Sequence, residues 1–587
     1  MAHSNRNNIL YVVLEDFSPL ASASFGMQYG LEASALKTPN LDRLASQATT
    51  FQHAYCQAPI CNPSRTSFLT SRRPEATHCY TNDDLRFPQL PTLADFVKAS
   101  APHATVACGG GGKIFHIACD KEERGFVNGA AQLRGDEAML KAANQRLERG
   151  LNRSWSGGGS GGSGHGGWQP VHSPNWAALT STLYGQPPTG RTNDQEKTRV
   201  AVRLLAHYAR TRERYFLAVG LSSTHVQGSS ICMPGAYQAE NAQPLPTSYP
   251  LAPARSFDAD PPLLTWPNWD LTRFDIGWRW QREALGRYYG CATHMDTQIG
   301  ALLDALDVLQ LAQSTAVIVQ GDHGFSLGRH GRWSKYNLYE DSTRVPLLIA
   351  VPGGRVRVVD DVVESLDVMP TILDLWGVRR LHTASAVQLQ QQSARTHFEL
   401  NGAAIPLDGE SLVPYLLTPS GEPLPPATVT TSRGGSSPHM APVARRNPYA
   451  RSELREWMMI HRPTDTELPG ARPVRMVGKG AQLYVRTPSH SYVAYLRPRC
   501  GCGPLMLLDE TLYDVRSDPG ESYNLAYRHS HAETRRALLG EVLTHWRIDG
   551  ATLGLVSADR ATRVAMVDEL ARCFNASVRC HTVLGEL

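Results

Sequence analysis

Two pairs of candidate ligands in this chain stand directly behind apolar runs. Glu15-Asp16 follows Ile9-Leu10-Tyr11-Val12-Val13-Leu14, and Asp322-His323 follows Ala316-Val317-Ile318-Val319-Gln320-Gly321. Runs of this length read as buried strands, and open α/β sheets place ligand sites beyond the carboxyl ends of their strands. Taken singly, each pair reads as ordinary solvated loop acids. Together they offer three carboxylates and an imidazole, a donor set that suits a hard divalent cation such as Ca2+, and no Cys/His cluster points to zinc. Cys61, in the run Cys61-Asn62-Pro63-Ser64-Arg65, adds a candidate nucleophile or ligand. An isolated Cys is usually a small buried core residue, so its meaning depends on its company.

That pentapeptide resembles the signature of the type I sulfatase family of the alkaline phosphatase superfamily. In that family the Cys is oxidised to formylglycine, and one hydroxyl of the hydrated aldehyde attacks sulfur. The second hydroxyl then collapses to release sulfate and restore the aldehyde. Further segments match in the same order: Gly112-Lys113-Ile114-Phe115-His116, Ser222-Ser223-Thr224-His225, Asp322-His323-Gly324 and Gly328-Arg329-His330-Gly331-Arg332-Trp333-Ser334-Lys335. The resemblance is nearest to the iduronate-2-sulfatase branch, and it implies roles residue by residue. Cys61 is the formylglycine precursor, Arg65 stabilises charge or holds the aldehyde hydrate and its neighbours, Lys113 and Lys335 bind sulfate, and His116 binds the hydrate. His225 contacts sulfate and is the first choice of general acid, with Lys335 second. Glu15, Asp16, Asp322, His323 and residue 61 would hold one Ca2+. The chain departs from the family pattern twice, with Glu15 where an Asp is expected and Ser71 where a Gly is expected.

The physical need for the cations is independent of the resemblance. Attack on a sulfate ester spreads negative charge over the non-bridging and leaving oxygens, so fixed positive groups stabilise the transition state more than the ground state. The expected activity is a sulfuric ester hydrolase acting on a sulfated sugar, with a 2-sulfated uronate as the substrate nearest the resemblance. Its implied partners are a sulfated carbohydrate and a formylglycine-generating enzyme. Two alternatives stand beside it: a phosphonate or phosphate ester hydrolase of the same superfamily, and a catalytically inactive sulfatase-like binding protein.

At 587 residues the chain exceeds the about 250–300 at which single cores stop growing, which predicts a large domain with a second unit. Its 58 basic and 54 acidic residues leave a net charge of +4, too small a field to predict a nucleic-acid partner. No stretch approaches the about 20 apolar residues of a membrane span. The polar start, Met1 to Asn8, predicts either an intracellular protein or a lysosomal or secreted one whose leader lies outside this chain. Cys573 and Cys580 are spaced to close a short disulfide loop, and Asn152 and Asn575 begin glycosylation sequons.

Short apolar runs alternating with helical patterns predict an α/β fold with a large mixed, mainly parallel sheet flanked by helices. The strand candidates are Ile9–Leu14, Thr105–Cys108, Tyr215–Val219, Ala316–Val319 and Leu347–Val351. Thr38-Pro39 reads as a helix start and Arg282–Leu309 as one long amphipathic helix. Ser154–Trp168 is a Gly/Ser insertion, the stretch near Gln388–Gln392 is Gln-rich, and the segment from about Thr418 to Arg451 carries the expected boundary. The division is therefore 6–430 for a catalytic domain and 431–587 for a smaller α+β subdomain, for which the resemblance implies a four-stranded sheet. Leu512–Glu521 and Asn524-Leu525 resemble the family's carboxy-terminal motif preceding a last helix.

Overall fold

The structure is a computed structural model that describes residues 7–26, 36–84, 90–101, 105–108, 113–116, 127–128, 193–227, 230–231, 264–265, 278–331, 333–381, 396–417, 448–460, 475–498 and 505–555. The Gly/Ser insertion, the Gln-rich stretch, both sequons, Cys573, Cys580 and the expected boundary near residue 430 lie outside the described residues.

Among the described residues the largest sheet has eight strands: β1 (Asn8–Leu14), β2 (Thr49–Tyr55), β3 (Thr105–Cys108), β4 (Val127–Asn128), β5 (Tyr215–Leu221), β6 (Thr315–Gly321), β7 (Arg344–Ala350) and β8 (Arg357–Glu364). Their order is β8-β2-β7-β6-β1-β5-β3-β4. Every pair is parallel except those of β7, which runs antiparallel to β2 and β6. All five strand candidates are present. The sequence did not single out β2 and β8, because Thr-Thr-Phe-Gln-His-Ala-Tyr and Arg-Val-Val-Asp-Asp-Val-Val-Glu break their apolar runs with polar residues.

Alternation along β1 decides the layers, since successive side chains of a strand point to opposite faces. Leu10, Val12 and Leu14 join Leu204, Leu205, Tyr288, Met295, Ile299 and Leu302 in one core. Ile9, Tyr11 and Val13 join Phe68, Leu69, Phe96, Val97, Ile372 and Trp376 in the other. The first core packs α4 (Asn193–Thr211) and α5 (Trp278–Val308), and the second packs α2 (Cys61–Thr70), α3 (Leu93–Ser100) and α6 (Val368–Trp376). A sheet covered on both faces explains why its central strands read as continuous apolar runs.

Helix α1 (Pro39–Ala45) starts where Thr38-Pro39 predicts, with Pro39 inside the first turn. Thr38 makes no side-chain cap. Instead Asp296 of α5 accepts from the Asn40 amide at 3.0 Å and the Leu41 amide at 2.7 Å, so a neighbouring helix satisfies the orphan donors.

A second sheet contains four long antiparallel strands: β9 (Ala450–Ile460), β10 (Arg475–Arg486), β11 (His490–Pro498) and β12 (Leu505–Asp514). It is six-stranded, not four-stranded as expected, because Leu264–Thr265 pairs with β9 and Gly554–Leu555 with β12. Each addition is two residues long and satisfies only the end of an edge. Leu483, Val485 and Leu512 on one face pack against α7 (Ala532–His545) through Leu538 and Val542. The opposite face meets the first sheet, where Tyr55, Ile60 and Val362 cluster with Leu454, Tyr484, Tyr495 and Leu508.

Candidate active site

Cys61 opens α2, and all ten residues of that helix are buried. Pro63 is tolerated because the first turn has no intrahelical partner for its missing N–H. The positive end of the helix therefore faces the same space as the Cys61 thiol. Burial alone would raise that thiol's pKa. It is instead held well below its ordinary range by the charges of Lys335 and Lys113 and by hydrogen bonds from His116 and His225.

The groups around Cys61 Sγ arrive from distant parts of the chain. Lys335 Nζ donates to it at 2.9 Å, and His323 Nε2 lies at 3.4 Å, Glu15 Oε1 at 3.7 Å and Asp16 Oδ1 at 4.0 Å. Lys335 Nζ also donates to Asp16 Oδ1 at 2.7 Å. Burial opposes that ammonium, but the charges of Asp16 and Cys61 hold its pKa well above the ordinary lysine range. Lys113 Nζ pairs with Glu15 Oε1, and His225 Nε2 lies 3.5 Å from the same oxygen. All ten residues predicted from the sequence thus belong to one cluster.

Local backbone explains how such positions are held. Strand β1 extends past Leu14 as the Glu15 amide bonds the Leu221 carbonyl, and the Asp322 amide bonds the Leu14 carbonyl, each at 3.0 Å. Asp16 then turns with φ of 54°, a left-handed conformation that Asp tolerates better than most residues. The loop carrying Lys335 has positive φ at Gly328, His330, Ser334 and Tyr336, a concentration of strain of the kind that accompanies functional loops. Gly220 permits the 113–116 segment to cross the end of β5, since a Cβ there would lie 2.4 Å from the Lys113 carbonyl oxygen.

Arg65 is fully buried, and the charges of Asp322, Glu15 and Cys61 act on it. Its Nε and Nη2 both donate to Asp322 Oδ2, at 3.1 and 2.8 Å, and its Nη1 donates to the Lys113 carbonyl and to that of Ile114 at 3.0 Å. Of the two roles implied for it, the geometry therefore favours holding neighbours in place.

Two overlapping sets of ligand atoms lie within 4.8 Å of one another, Glu15, Asp16, Cys61 and His225 in one and Asp16, Cys61, Asp322 and His323 in the other. That span equals about twice a ~2.4 Å Ca–O bond. Asp16 Oδ2 is buried with no hydrogen-bond partner. His323 Nδ1 lies 2.8 Å from the Gly324 carbonyl, which only an N–H satisfies, so Nε2 faces the carboxylates. Burial disfavours the charged His323 ring, but Asp322 and Asp16 outweigh it and push the pKa up to about 9. These residues fit a hard divalent cation. The longer Glu15 places its carboxylate on the Lys113 and His225 side of the cluster, while Asp322 and His323 lie in the other set.

Ser71, the second departure, ends α2 with φ of 50° and ψ of 39°. This is where a helix prefers Gly. Its hydroxyl donates to the Leu366 carbonyl at 2.9 Å and accepts from the Gly409 amide at 3.1 Å, contacts that offset the left-handed strain.

Sequence reasoning missed three supporting residues. Thr224 Oγ1 bonds the Glu15 carbonyl, Tyr288 OH bonds that of Asp16, and Asp194 holds Ser222 and Ser223. All three act on main chain, which leaves no mark in residue type or spacing.

Comparison with known proteins agrees with this geometry. The sulfatase family model matches residues 7–378. Iduronate 2-sulfatase from Mus musculus is 29% identical over 381 residues, covering 59% of this chain and 59% of that protein. The match therefore spans less than two thirds of the curated relative. Among solved structures, a 2-O GAG sulfatase superposes with a TM-score of 0.51 at 19% identity, covering 95% of this chain and 96% of the other. A phosphonate monoester hydrolase from Silicibacter pomeroyi gives 0.55 at 20%, covering 94% and 98%. At these identities the superpositions establish the shared alkaline phosphatase-like fold, and the family match runs through every segment placed around Cys61. The chain belongs to the sulfatase family.

Proposed function

We propose that this protein is a sulfuric ester hydrolase acting on a sulfated sugar, with residue 61 as nucleophile after oxidation of its thiol to formylglycine. The observation that carries the reading is the ring of charge around Cys61 Sγ, with Lys335 at 2.9 Å, His323 at 3.4 Å and Glu15 at 3.7 Å. In the thiol form, Sγ marks the place of one hydroxyl of the aldehyde hydrate. A bound Ca2+ held by Asp16, Asp322, His323 and residue 61, with Glu15 joining from the Lys113 and His225 side, would polarise the sulfate and the nucleophile.

The chain's own residues supply the remaining functions. Lys335 and Lys113 lie beside the nucleophile, where charge on the sulfate oxygens develops. His225 is the proton donor to the leaving oxygen. Burial opposes its charged form, but Glu15 and Asp16 raise its pKa above the ordinary histidine value. His116 hydrogen-bonds residue 61 and orients it. A 2-sulfated uronate is the substrate we favour, by similarity to the iduronate 2-sulfatase relative.

The test joins mass measurement of the peptide holding residue 61 with kinetics on an aryl sulfate. The expected result is formylglycine in active protein, and loss of hydrolysis in Cys61→Ala with the fold retained. Ordinary sulfate hydrolysis by Cys61→Ala would overturn the mechanism. A preference for phosphonate monoesters over sulfates would overturn the substrate class.

A further inference from the structure

We propose that Asp194, neutralised by Lys197, is a positioning residue that fixes the turn carrying His225 against the reacting centre. The inference rests on the hydrolase reading above, with His225 as proton donor. Both residues belong to the first turns of α4, three positions apart, and are 1% and 4% exposed. Asp194 Oδ1 and Oδ2 accept from the Ser222 amide at 3.0 and 2.9 Å, and Oδ2 accepts from the Ser223 amide at 2.7 Å. Both serine hydroxyls donate to the same carboxylate. Lys197 Nζ closes the cluster, donating to Asp194 Oδ1 at 3.0 Å and to Ser222 Oγ at 2.8 Å.

The turn leaves β5 at Leu221 and has little freedom beyond this anchor. The His225 amide bonds the Ser222 carbonyl at 3.0 Å, and Thr224 Oγ1 bonds the Glu15 carbonyl. One side of the turn is thus tied to α4 and the other to the segment beyond β1, and His225 projects from between them. A carboxylate is needed because four donors from Ser222 and Ser223 converge on two oxygens, which an amide oxygen alone cannot accept. Lys197 is needed because a buried carboxylate without a compensating charge is costly.

The step that should suffer is proton delivery to the leaving oxygen. Misplacement by about 1 Å can cost on the order of a hundredfold, but only where the leaving group needs the proton. In the converted full-length chain, Asp194→Asn and Lys197→Met are compared with wild type and His225→Ala on p-nitrophenyl sulfate and on a simple alkyl sulfate. The expected result is a fall in kcat of about tenfold or more on the alkyl ester and less than about threefold on the nitrophenyl ester, in the same sense as His225→Ala. KM should stay unchanged. Amide hydrogen exchange at residues 222–225 supplies a readout independent of turnover and should accelerate about tenfold or more in Asp194→Asn. An equal fall on both esters, or unchanged exchange at the turn, overturns the proposal. Failure of the wild-type chain to hydrolyse any sulfate ester would instead overturn the parent reading, and the exchange arm would still decide the positioning role.

Discussion

Replacing Arg65 by Lys preserves the charge beside Asp322 and removes the geometry. Arg65 makes two bonds to Asp322 Oδ2 and two to main-chain carbonyls, those of Lys113 and Ile114, from a side chain with no exposure. A single ammonium cannot reach both the carboxylate and the carbonyl pair. If it stays with Asp322, two buried carbonyls lose their donor, at about 1–3 kcal/mol each. Partial relaxation and water entry lower the sum, so the expected destabilisation is about 2–4 kcal/mol. Arg65→Met also strips the charge and leaves Asp322 with His323, 3.6 Å away, as its neighbouring cation, which adds less than the about 3–5 kcal/mol of a fully broken buried pair.

The assay is urea unfolding of the thiol form, so that oxidation of Cys61 does not enter the comparison. Stability should fall in the order wild type, Arg65→Lys, Arg65→Met, with an unchanged denaturant slope. An Arg65→Lys variant within about 0.5 kcal/mol of wild type would refute the hydrogen-bond accounting, since that is below the value of one such bond. Equal stability of the Lys and Met variants would refute the charge argument.

Removing the metal with a chelator should lower both activity and melting temperature, with Ca2+ restoring them; stoichiometric zinc without calcium in active protein would refute the oxygen-ligand assignment. At Ser71, Ala keeps the left-handed strain and loses both hydrogen bonds, costing about 1–3 kcal/mol, whereas Gly relieves the strain and should be nearer wild type. Thermal melts that rank Ala at or above Gly would show that the cap geometry is unimportant. Burial and the neighbouring Glu340 charge push the Glu521 carboxyl up to about 8 from 4.5. Its contribution is therefore complete below about pH 4.5 and lost as pH rises through about 8. Glu521→Gln should flatten the decline in unfolding free energy across that window, and an identical slope in both proteins would contradict the assignment.

The sequence exposed the parts of the fold that are apolar and continuous. Strands β1, β5 and β6 lie inside a sheet covered on both faces, and their central residues, Ile9–Leu14, Tyr215–Leu221 and Ala316–Val319, carry no polar interruption. By contrast, β8 is an edge strand whose Val358 is exposed and whose Val363 is buried, so its pattern resembles neither a clean alternation nor a buried run. The acids proposed to hold the cation were legible because they follow readable strands. Lys113, His116 and Lys335 stand in loops without periodicity, so only their local motifs revealed them. Asp194 was hidden for another reason, since an acidic residue near a helix start is ordinary and its partners lie on a strand end 28 positions away.

Strand direction explains why these scattered segments meet. Parallel strands present all their carboxyl ends at one edge of a sheet. Strands β1, β5 and β6 are mutually parallel neighbours, and they release Glu15-Asp16, Ser222–His225 and Asp322-His323 at that edge. Strand β3 continues the parallel set beside β5, so the chain after Cys108 reaches Lys113–His116 on the same side. Strand β2 is antiparallel to β7, which is itself antiparallel to β6, and two reversals return β2 to the direction of β1. The chain leaving β2 therefore delivers Cys61 to this edge as well. Strand β7 runs the other way, so it must begin there, and the loop entering it carries Lys335. Reversing β7 would send that loop to the opposite edge, a strand length of roughly 20 Å away from the thiol. The one antiparallel strand in the set is thus the element that allows the final cation to reach residue 61.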